Sequence, residues 1–522
     1  MGLKSIKKNE QVALQQQTQF IRFGLTFFFM AGILLYVYLI SKGMHGSIVL
    51  LASAVIGGYM AMNIGANDVA NNVGPAVGSK AITLFWAIVI AAIFEAAGAL
   101  LAGGEVVSTI KNSIINPDKL ADSKTFVWLM VSALLAGAVW LNLATLFGAP
   151  VSTTHSIVGG VLGAGIAAGG FGIANWEKMG AIAASWVISP VLGGVIAATF
   201  LLFIKKKIIY QADMIQAARK FVPVLIAVMA WAFSTYLALK GLKKIWKLDF
   251  QTASLIGFGF AIAIYFVVKP FIERTSEAVA NNREAVNDLF KVPLIFAAAL
   301  LSFAHGANDV ANAVGPLAAI SDAIQRGGIS SSAPIPLWVM MIGAIGISLG
   351  LLLFGPKIIK TVGGEITELD KSRAFCVAMA AAITVIIASQ LGLPVSSTHI
   401  AIGGIFGVGF LREYLKTSYA NQLQDMLDDH EGEEKVRLQK FLTNFESASV
   451  EDMEKMLKQA KKEKSELGLK KAERKKMKKL YSEKLVKRSA VKKIVAAWII
   501  TVPASATLAA GVFFMLNDLP LG

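Results

Sequence analysis

The chain holds a single cysteine, Cys376, in 522 residues. One thiol closes no intrachain disulfide and offers no thiolate cluster to a metal, which excludes a disulfide framework and a Cys-ligated zinc site. Histidine is also scarce, with five in all, and their spacing forms no metal-ligand cluster. Charged residues make up only 16% of the chain against 55% hydrophobic ones. Soluble domains carry about 25% charged residues.

Apolar sequence fills the place of what is missing, and mean hydropathy is +0.61. Runs long enough to cross a bilayer cover 20–40, 82–101, 126–147, 179–204, 221–239, 255–268, 337–354, 375–391 and 494–516. With interrupted segments included, roughly 10–12 spans of about 20 residues are expected. The fold class is therefore an all-α polytopic membrane protein. The polar leader ahead of the first run is long, and no small-residue cleavage site follows it. That run reads as a mature first span rather than a signal peptide.

The net charge is +16, but its distribution argues against nucleic acid as a partner. Much of the Lys and Arg lies between 412 and 493, with shorter basic loops at 205–207 and 240–247. Basic loops between spans normally mark the cytoplasmic side. The segment 412–493 also carries Met453, Met456, Leu457 and Ala460 at helical spacing, so a charged cytoplasmic helical insertion is expected there. The basic leader places the N-terminus inside, whereas an even number of crossings ending outside places it outside.

Two halves repeat one another. GANDVANNVGP at 65–75 returns as GANDVANAVGP at 306–316, and GAPVSTTHSIVGG at 148–160 returns as GLPVSSTHIAIGG at 392–404. A weaker pair between them aligns Thr109 with Thr361. Three matched pieces in one order imply an internal duplication. In membranes, two repeats of opposite topology build a site at the midplane, where broken and re-entrant helices meet. The expected organisation is a leader with the first span (1–46), repeat 1 (47–210), a connector (211–290), repeat 2 (291–411), the insertion (412–493) and a last span (494–522).

Each GANDVAN motif places a carboxylate, Asp68 or Asp309, among apolar sequence, where a charge costs a few kcal/mol and marks function. Asn67 and Asn71, with Asn308 and Asn312, add amide oxygens beside it. Hard oxygen ligands of this kind suit Na⁺ or a proton better than a soft metal. Gly65, Gly74 and Pro75, with Gly306, Gly315 and Pro316, are expected to break the helix. A helix-packing motif of small residues would explain the glycines but not a carboxylate placed twice.

In the second motif, Ser152, Thr153 and Thr154 match Ser396, Ser397 and Thr398. Hydroxyls and free N–H groups at a helix start make an anion site, and Pro150 and Pro394 suit a first helical turn. The plainer role for these hydroxyls is N-capping. His155 and His399 close the motif, where a ring can bond a loop carbonyl or sense pH; the structural bond is the expectation. Glu95 has no counterpart in repeat 2, where Ile347 aligns. It is expected to pair with Lys111 or to serve the pathway, while Lys80 and Lys111 snorkel. Neither motif is flanked by arginine. An anion held by dipoles near Asp68 and Asp309 is repelled until cations occupy them, which couples the two ligands.

Paired GANDVAN motifs, each followed by P-V-S-[ST]-T-H, resemble those of the PiT family of inorganic phosphate transporters, over roughly 57–170 and 294–409. The resemblance implies cation-coupled phosphate uptake at the cell membrane, inverted repeats, re-entrant helices and a long cytoplasmic loop before the late spans. Inorganic phosphate and Na⁺ or H⁺ are then the partners, with Na⁺ favoured, no further cofactor, and a homodimer as one assembly to consider. Some members carry a metal–phosphate complex, and sulfate or arsenate would fit the same chemistry. Two other classes fit less well. A membrane phosphatase needs a nucleophile with its base or a metal cluster, and an anion channel needs basic rings along a pore.

Overall fold

The computed structural model describes residues 3–120, 122–146, 151–241, 246–277, 279–328, 334–365, 369–415, 439–441, 443–444, 456 and 488–521. Nearly all of the insertion expected at 412–493 lies outside the described residues. The described residues form helices, without a strand. In chain order these are α1 (Leu3–Ser41), α2 (Ser47–Gly78), α3 (Leu84–Ala102), α4 (Gly104–Asn112) and α5 (Ser123–Leu146). α6 (Thr153–Gly169), α7 (Trp176–Ile204), α8 (Met214–Lys240), α9 (Phe250–Thr275) and α10 (Arg283–Leu289) follow. α11 (Lys291–Arg326), α12 (Leu337–Glu365), α13 (Lys371–Gln390), α14 (Ser397–Leu415) and α15 (Arg488–Leu516) complete the bundle.

Eleven of these helices are long and apolar enough to cross a membrane, within the range expected from hydropathy. Burial sorts them into an inner and an outer set. The most apolar window of α11 is 89% buried, whereas those of α1 and α9 are only 11% and 17% buried. α11 therefore runs through the core. α1 and α9 present apolar side chains such as Phe27, Phe28, Phe260 and Phe266 outward, as lipid-facing helices do. The protein is thus a multi-pass membrane protein.

The bundle core is built by reciprocal exchange between the repeats. α2 packs along α12, and α11 packs along α3. At Gly65 on α2 an added Cβ would fall 1.9 Å from the carbonyl oxygen of Ile347 on α12. At Gly306 on α11 it would fall 2.1 Å from that of Glu95 on α3. The same relation holds between α6 and α15 and between α14 and α7, where Gly163 meets Ala506 and Gly407 meets Gly194. Matching surfaces that contact each other in swapped order are what a pseudo-two-fold relation produces.

This packing corrects one expectation. α2 and α11 run unbroken through both GANDVAN motifs, with Pro75 and Pro316 inside the helices. Gly65 and Gly306 serve backbone-to-backbone approach rather than a break. The interruptions fall instead before α6 and α14. α6 has 17 residues, about 26 Å at 1.5 Å per residue, which is short of a hydrocarbon core of about 30 Å. Pro394 lies ahead of α14 rather than in its first turn, and Pro150 lies outside the described residues.

Candidate functional site

The crossing of α2 and α11 brings Asp68 and Asp309 into the centre of the bundle, 2% and 1% exposed. The starts of α6 and α14 meet them there. Thr153 donates its hydroxyl to Asp68 Oδ2 at 3.2 Å, and Thr398 donates to Asp68 Oδ1 at 3.2 Å. Ser397 faces Asp309 Oδ2 at 3.5 Å. Each repeat thus lends hydroxyls to the Asp68 carboxylate.

The asparagines tie the two halves together with the same reciprocity as the helices. Asn71 donates to Thr398 Oγ1 at 2.7 Å, and Asn312 donates to Thr154 Oγ1 at 3.1 Å and to Thr153 Oγ1 at 3.2 Å. Thr154 donates its own hydroxyl to the carbonyl of Val395 at 2.9 Å. Asn71 and Asn312 therefore position hydroxyls of the opposite repeat, and the Asn312 oxygen is left buried without a hydrogen-bond partner. Asn308 is used differently. It donates to Ser389 Oγ and to the carbonyl of Leu393, and accepts from the N–H of Val395, so it braces the turn that leads into α14. Asn67 is half-buried beside Asp68.

The six hydroxyls of the second motif divide by role. Ser152 accepts from the N–H of His155 at 3.2 Å, and Ser396 accepts from that of His399 at 3.3 Å. These two cap α6 and α14 in the ordinary way. Thr153, Thr154, Ser397 and Thr398 turn toward the carboxylates and amides instead. His155 packs its ring on Trp186 at 3.9 Å and edge-on to His399 at 4.7 Å between centroids. Neither ring nitrogen of His155 has a hydrogen-bond partner, so packing replaces the expected bond to a loop carbonyl. Trp186 supplies that bond itself, donating to the carbonyl of Pro394 at 3.0 Å. Thr109 donates to the carbonyl of Gly392 at 2.7 Å and so supports the same turn. The Thr361 side chain lies outside the described residues.

Two residues outside the repeated pattern complete the site. His305 is fully buried, with Nε2 3.0 Å from Asp309 Oδ2 and 3.8 Å from Asp68 Oδ2. Its Nδ1 lies 3.3 Å from Glu95 Oε1, and Glu95 Oε1 also accepts from Asn72 at 2.8 Å. Glu95 does not pair with Lys111. That lysine is 3% exposed and bonds Asp322 on α11 at 3.2 Å, so it does not snorkel either.

One ligand atom from each of Asp68, His305 and Asp309 lies within 4.8 Å of the others. This small cage suits a cation, and it corrects the inference from spacing that no histidine joins such a cluster. The sequence signal was present. His305 stands four residues before Asp309, on the same helical face, where repeat 1 has Ile64. Among the described residues no lysine or arginine pairs with Asp68, Glu95 or Asp309, so three buried carboxylates share one imidazole.

A membrane bundle in which two repeats each lend half of one buried polar site has the architecture of a solute transporter. Comparison with known proteins specifies which kind. The model of the "Phosphate transporter family" matches residues 64–509, and the chain belongs to that family. It is 50% identical over 527 residues to a Helicobacter pylori protein named "Putative phosphate permease", covering 99% of each chain. A Thermococcus kodakarensis protein with the same description is 38% identical over 365 residues, covering 70% of this chain and 89% of that one. A solved structure described as "The sodium-dependent phosphate transporter" matches with a TM-score of 0.73 and 32% identity, covering 90% of this chain and 99% of that chain.

Proposed function

We propose that the protein is a Na⁺-coupled symporter of inorganic phosphate that works by alternating access in the cell membrane, with the insertion at 412–493 in the cytoplasm. The observation that carries this reading is the meeting of Asp68 with Thr153 and Thr398, hydroxyls drawn from opposite repeats. The hydroxyls and the starts of α6 and α14 offer donors to an anion, and Asp68 and Asp309 offer oxygens to cations. Phosphate next to uncompensated carboxylates is repelled. With Na⁺ bound, the same groups attract it, so neither ligand binds well alone. Asp68, Asp309, Thr153, Thr154, Ser397 and Thr398 are the residues assigned to the cargo and its ions, with Asn71 and Asn312 holding the hydroxyls.

Proton coupling is the second reading, and His305 is the observation that favours it. A buried imidazole between Glu95 and Asp309 is a place to load a proton with the phosphate. Radiolabelled phosphate uptake by purified protein in liposomes separates the two, with a Na⁺ gradient and a proton gradient imposed in turn. Uptake driven by the Na⁺ gradient alone supports the symporter as stated, and uptake driven only by protons overturns it. Counterflow of labelled phosphate against its gradient distinguishes a carrier from a channel.

A further inference from the structure

We infer that Tyr236 and Lys240 on α8 are positioning residues for phosphate, because one face of this helix backs the turn that carries Ser397 and Thr398. The inference rests on the reading of those two hydroxyls as cargo contacts. Neither Tyr236 nor Lys240 lies in a repeated motif. Each reaches the turn through a second side chain.

The turn depends on braces from outside α14. Gly392 sits at φ +64°, a left-handed conformation that glycine adopts readily and other residues rarely do. Asn308 on α11 donates to the carbonyl of Leu393 at 3.2 Å and accepts from the N–H of Val395 at 3.2 Å. Thr109 on α4 donates to the carbonyl of Gly392 at 2.7 Å. Each brace has a further partner. Asn308 also donates to Ser389 Oγ on α13 at 2.9 Å, which helps fix the plane of its amide. Glu105 stands one turn before Thr109 on α4, and its carboxylate pairs with Lys240 at 3.1 Å. The carbonyl of Val395 in turn accepts from Thr154, so a shift of this turn reaches hydroxyls of both repeats.

α8 stands behind both partners. Phe233 and Tyr236 pack edge-on against Phe303 of α11, at 5.2 Å and 6.2 Å between centroids. Lys240 follows one turn after Tyr236, on the same helical face. The Tyr236 hydroxyl is buried against the Ser389 side chain and forms no hydrogen bond of ordinary geometry. A serine that accepts from Asn308 still has a proton to give, and the phenol oxygen is an acceptor beside it. A buried hydroxyl without an ordinary bond costs stability, which phenylalanine would avoid, so packing alone does not account for a tyrosine here. α8 thus acts on α13 through Ser389 and on α4 through Glu105, and the two routes converge on residues 392–395.

The test is uptake of radiolabelled phosphate in liposomes, under the gradient that drives wild type, by Tyr236→Phe, Lys240→Gln and Lys240→Arg. Unfolding midpoints in detergent are measured beside it. Tyr236→Phe keeps the ring against Phe303 and removes only the hydroxyl. Tyr236→Phe and Lys240→Gln should each raise half-saturation for phosphate at least about threefold while the maximal rate holds, as coupling within one network predicts. Lys240→Arg keeps the charge and should retain wild-type half-saturation. Tyr236→Phe carries the test if Lys240→Gln unfolds. A role in packing alone would lower the midpoint and leave half-saturation in place, and that result overturns the inference. Thr398→Ala separates this failure from failure of the underlying reading. If Thr398→Ala raises half-saturation and Tyr236→Phe does not, the hydroxyls bind phosphate without help from α8. If Thr398→Ala also has no effect, the phosphate assignment falls and the positioning role falls with it.

Discussion

Glu95 Oε1 lies 3.3 Å from His305 Nδ1, and the contact joins positions at which the two repeats disagree. Glu95 aligns with Ile347, His305 with Ile64, and Asn72, which bonds Glu95, with Ala313. These three departures from the duplication thus make one continuous polar chain from Asn72 through Glu95 and His305 to Asp309. The repeats supply a symmetric frame of carboxylates and hydroxyls, and this chain makes its electrostatics one-sided. Asp68 accepts hydroxyls from both repeats, while Asp309 faces the imidazole.

Asp68→Asn and Asp309→Asn should each abolish coupled phosphate uptake, because a neutral amide removes the charge that a cation compensates. Both substitutions keep side-chain size and one acceptor oxygen, and the hydroxyl that loses its acceptor at Asp68 can rotate, so the fold should persist. Uptake in liposomes checks this. A wild-type rate with unchanged ion dependence in either variant would remove that carboxylate from the ion site.

The hydroxyls should fall into two groups on mutation to Ala. Thr153, Thr154, Ser397 and Thr398 should each cost about 1–3 kcal/mol in phosphate affinity, since they face the carboxylates and amides while backbone N–H groups remain. Ser152→Ala and Ser396→Ala should instead lower thermal stability by about 1 kcal/mol, the usual cost of losing a cap. Half-saturation for phosphate and the unfolding midpoint, measured on all six variants, separate the groups. Equal behaviour of all six would erase the distinction.

Much of the fold was legible because its signals are local. Apolar length marks spans, and repeated motifs mark a duplication. The roles of the glycines were not legible, because a glycine that breaks a helix and one that lets two helices touch look alike in sequence. Only the partner carbonyls of Ile347 and Glu95 distinguish them. Asp68 and Asp309 were readable from their repetition in apolar surroundings. His305 carries no repeat signal, because only one of the two motifs has a histidine at that position. The contacts of Asn71 and Asn312 with the opposite repeat required the three-dimensional crossing of α2 and α11.

Gly65→Ala should destabilise the bundle, whereas Gly74→Ala should be tolerated. A Cβ at Gly65 would lie 1.9 Å from a backbone oxygen of α12, while one at Gly74 meets nothing within 4 Å. Backbone cannot yield as a side-chain tip does, so the first substitution must push α2 and α12 apart. A cost on the order of 1–3 kcal/mol or more is expected for such overpacking. Thermal unfolding in detergent compares the two, and equal midpoints would show that the helices separate without penalty.

Asp370 offers a pH-dependent contribution to stability at the start of α13. Burial pushes its carboxyl up, but the bonds from the Arg373 guanidinium and N–H, with that of the Ser372 hydroxyl, outweigh burial and hold it below the usual carboxylate range. A lowered folded-state pKa stabilises the protein above the unfolded value of about 3.9, and the contribution is lost as pH falls through the folded value. Asp370→Asn keeps a good capping residue and removes the charge. It should cost about 1 kcal/mol at neutral pH, a figure discounted for partial exposure. The gap between the unfolding midpoints of wild type and variant should shrink as pH drops below about 4. A gap that stays constant with pH would mean that the Arg373 pair contributes nothing.

The choice of coupling ion gives the most discriminating prediction. Asp68, Glu95 and Asp309 bring three carboxylates to one buried region, and among the described residues His305 is the only basic side chain paired with them. With the three carboxylates ionised, even a protonated imidazole leaves an excess of negative charge, and a phosphate dianion adds to it. Charge of this kind in a low-dielectric interior requires bound cations. Hydroxyls from Thr153 and Thr398 beside Asp68 are hard oxygen ligands for one. At least two Na⁺ should therefore accompany each phosphate. Replacing Na⁺ with choline at fixed pH should weaken phosphate binding steeply, and the dependence on Na⁺ concentration should be steeper than first order. His305→Gln should alter the pH dependence of uptake while leaving the Na⁺ requirement in place. Binding that ignores Na⁺ but follows pH, and loses that pH dependence in His305→Gln, would transfer the coupling role from Na⁺ to the proton.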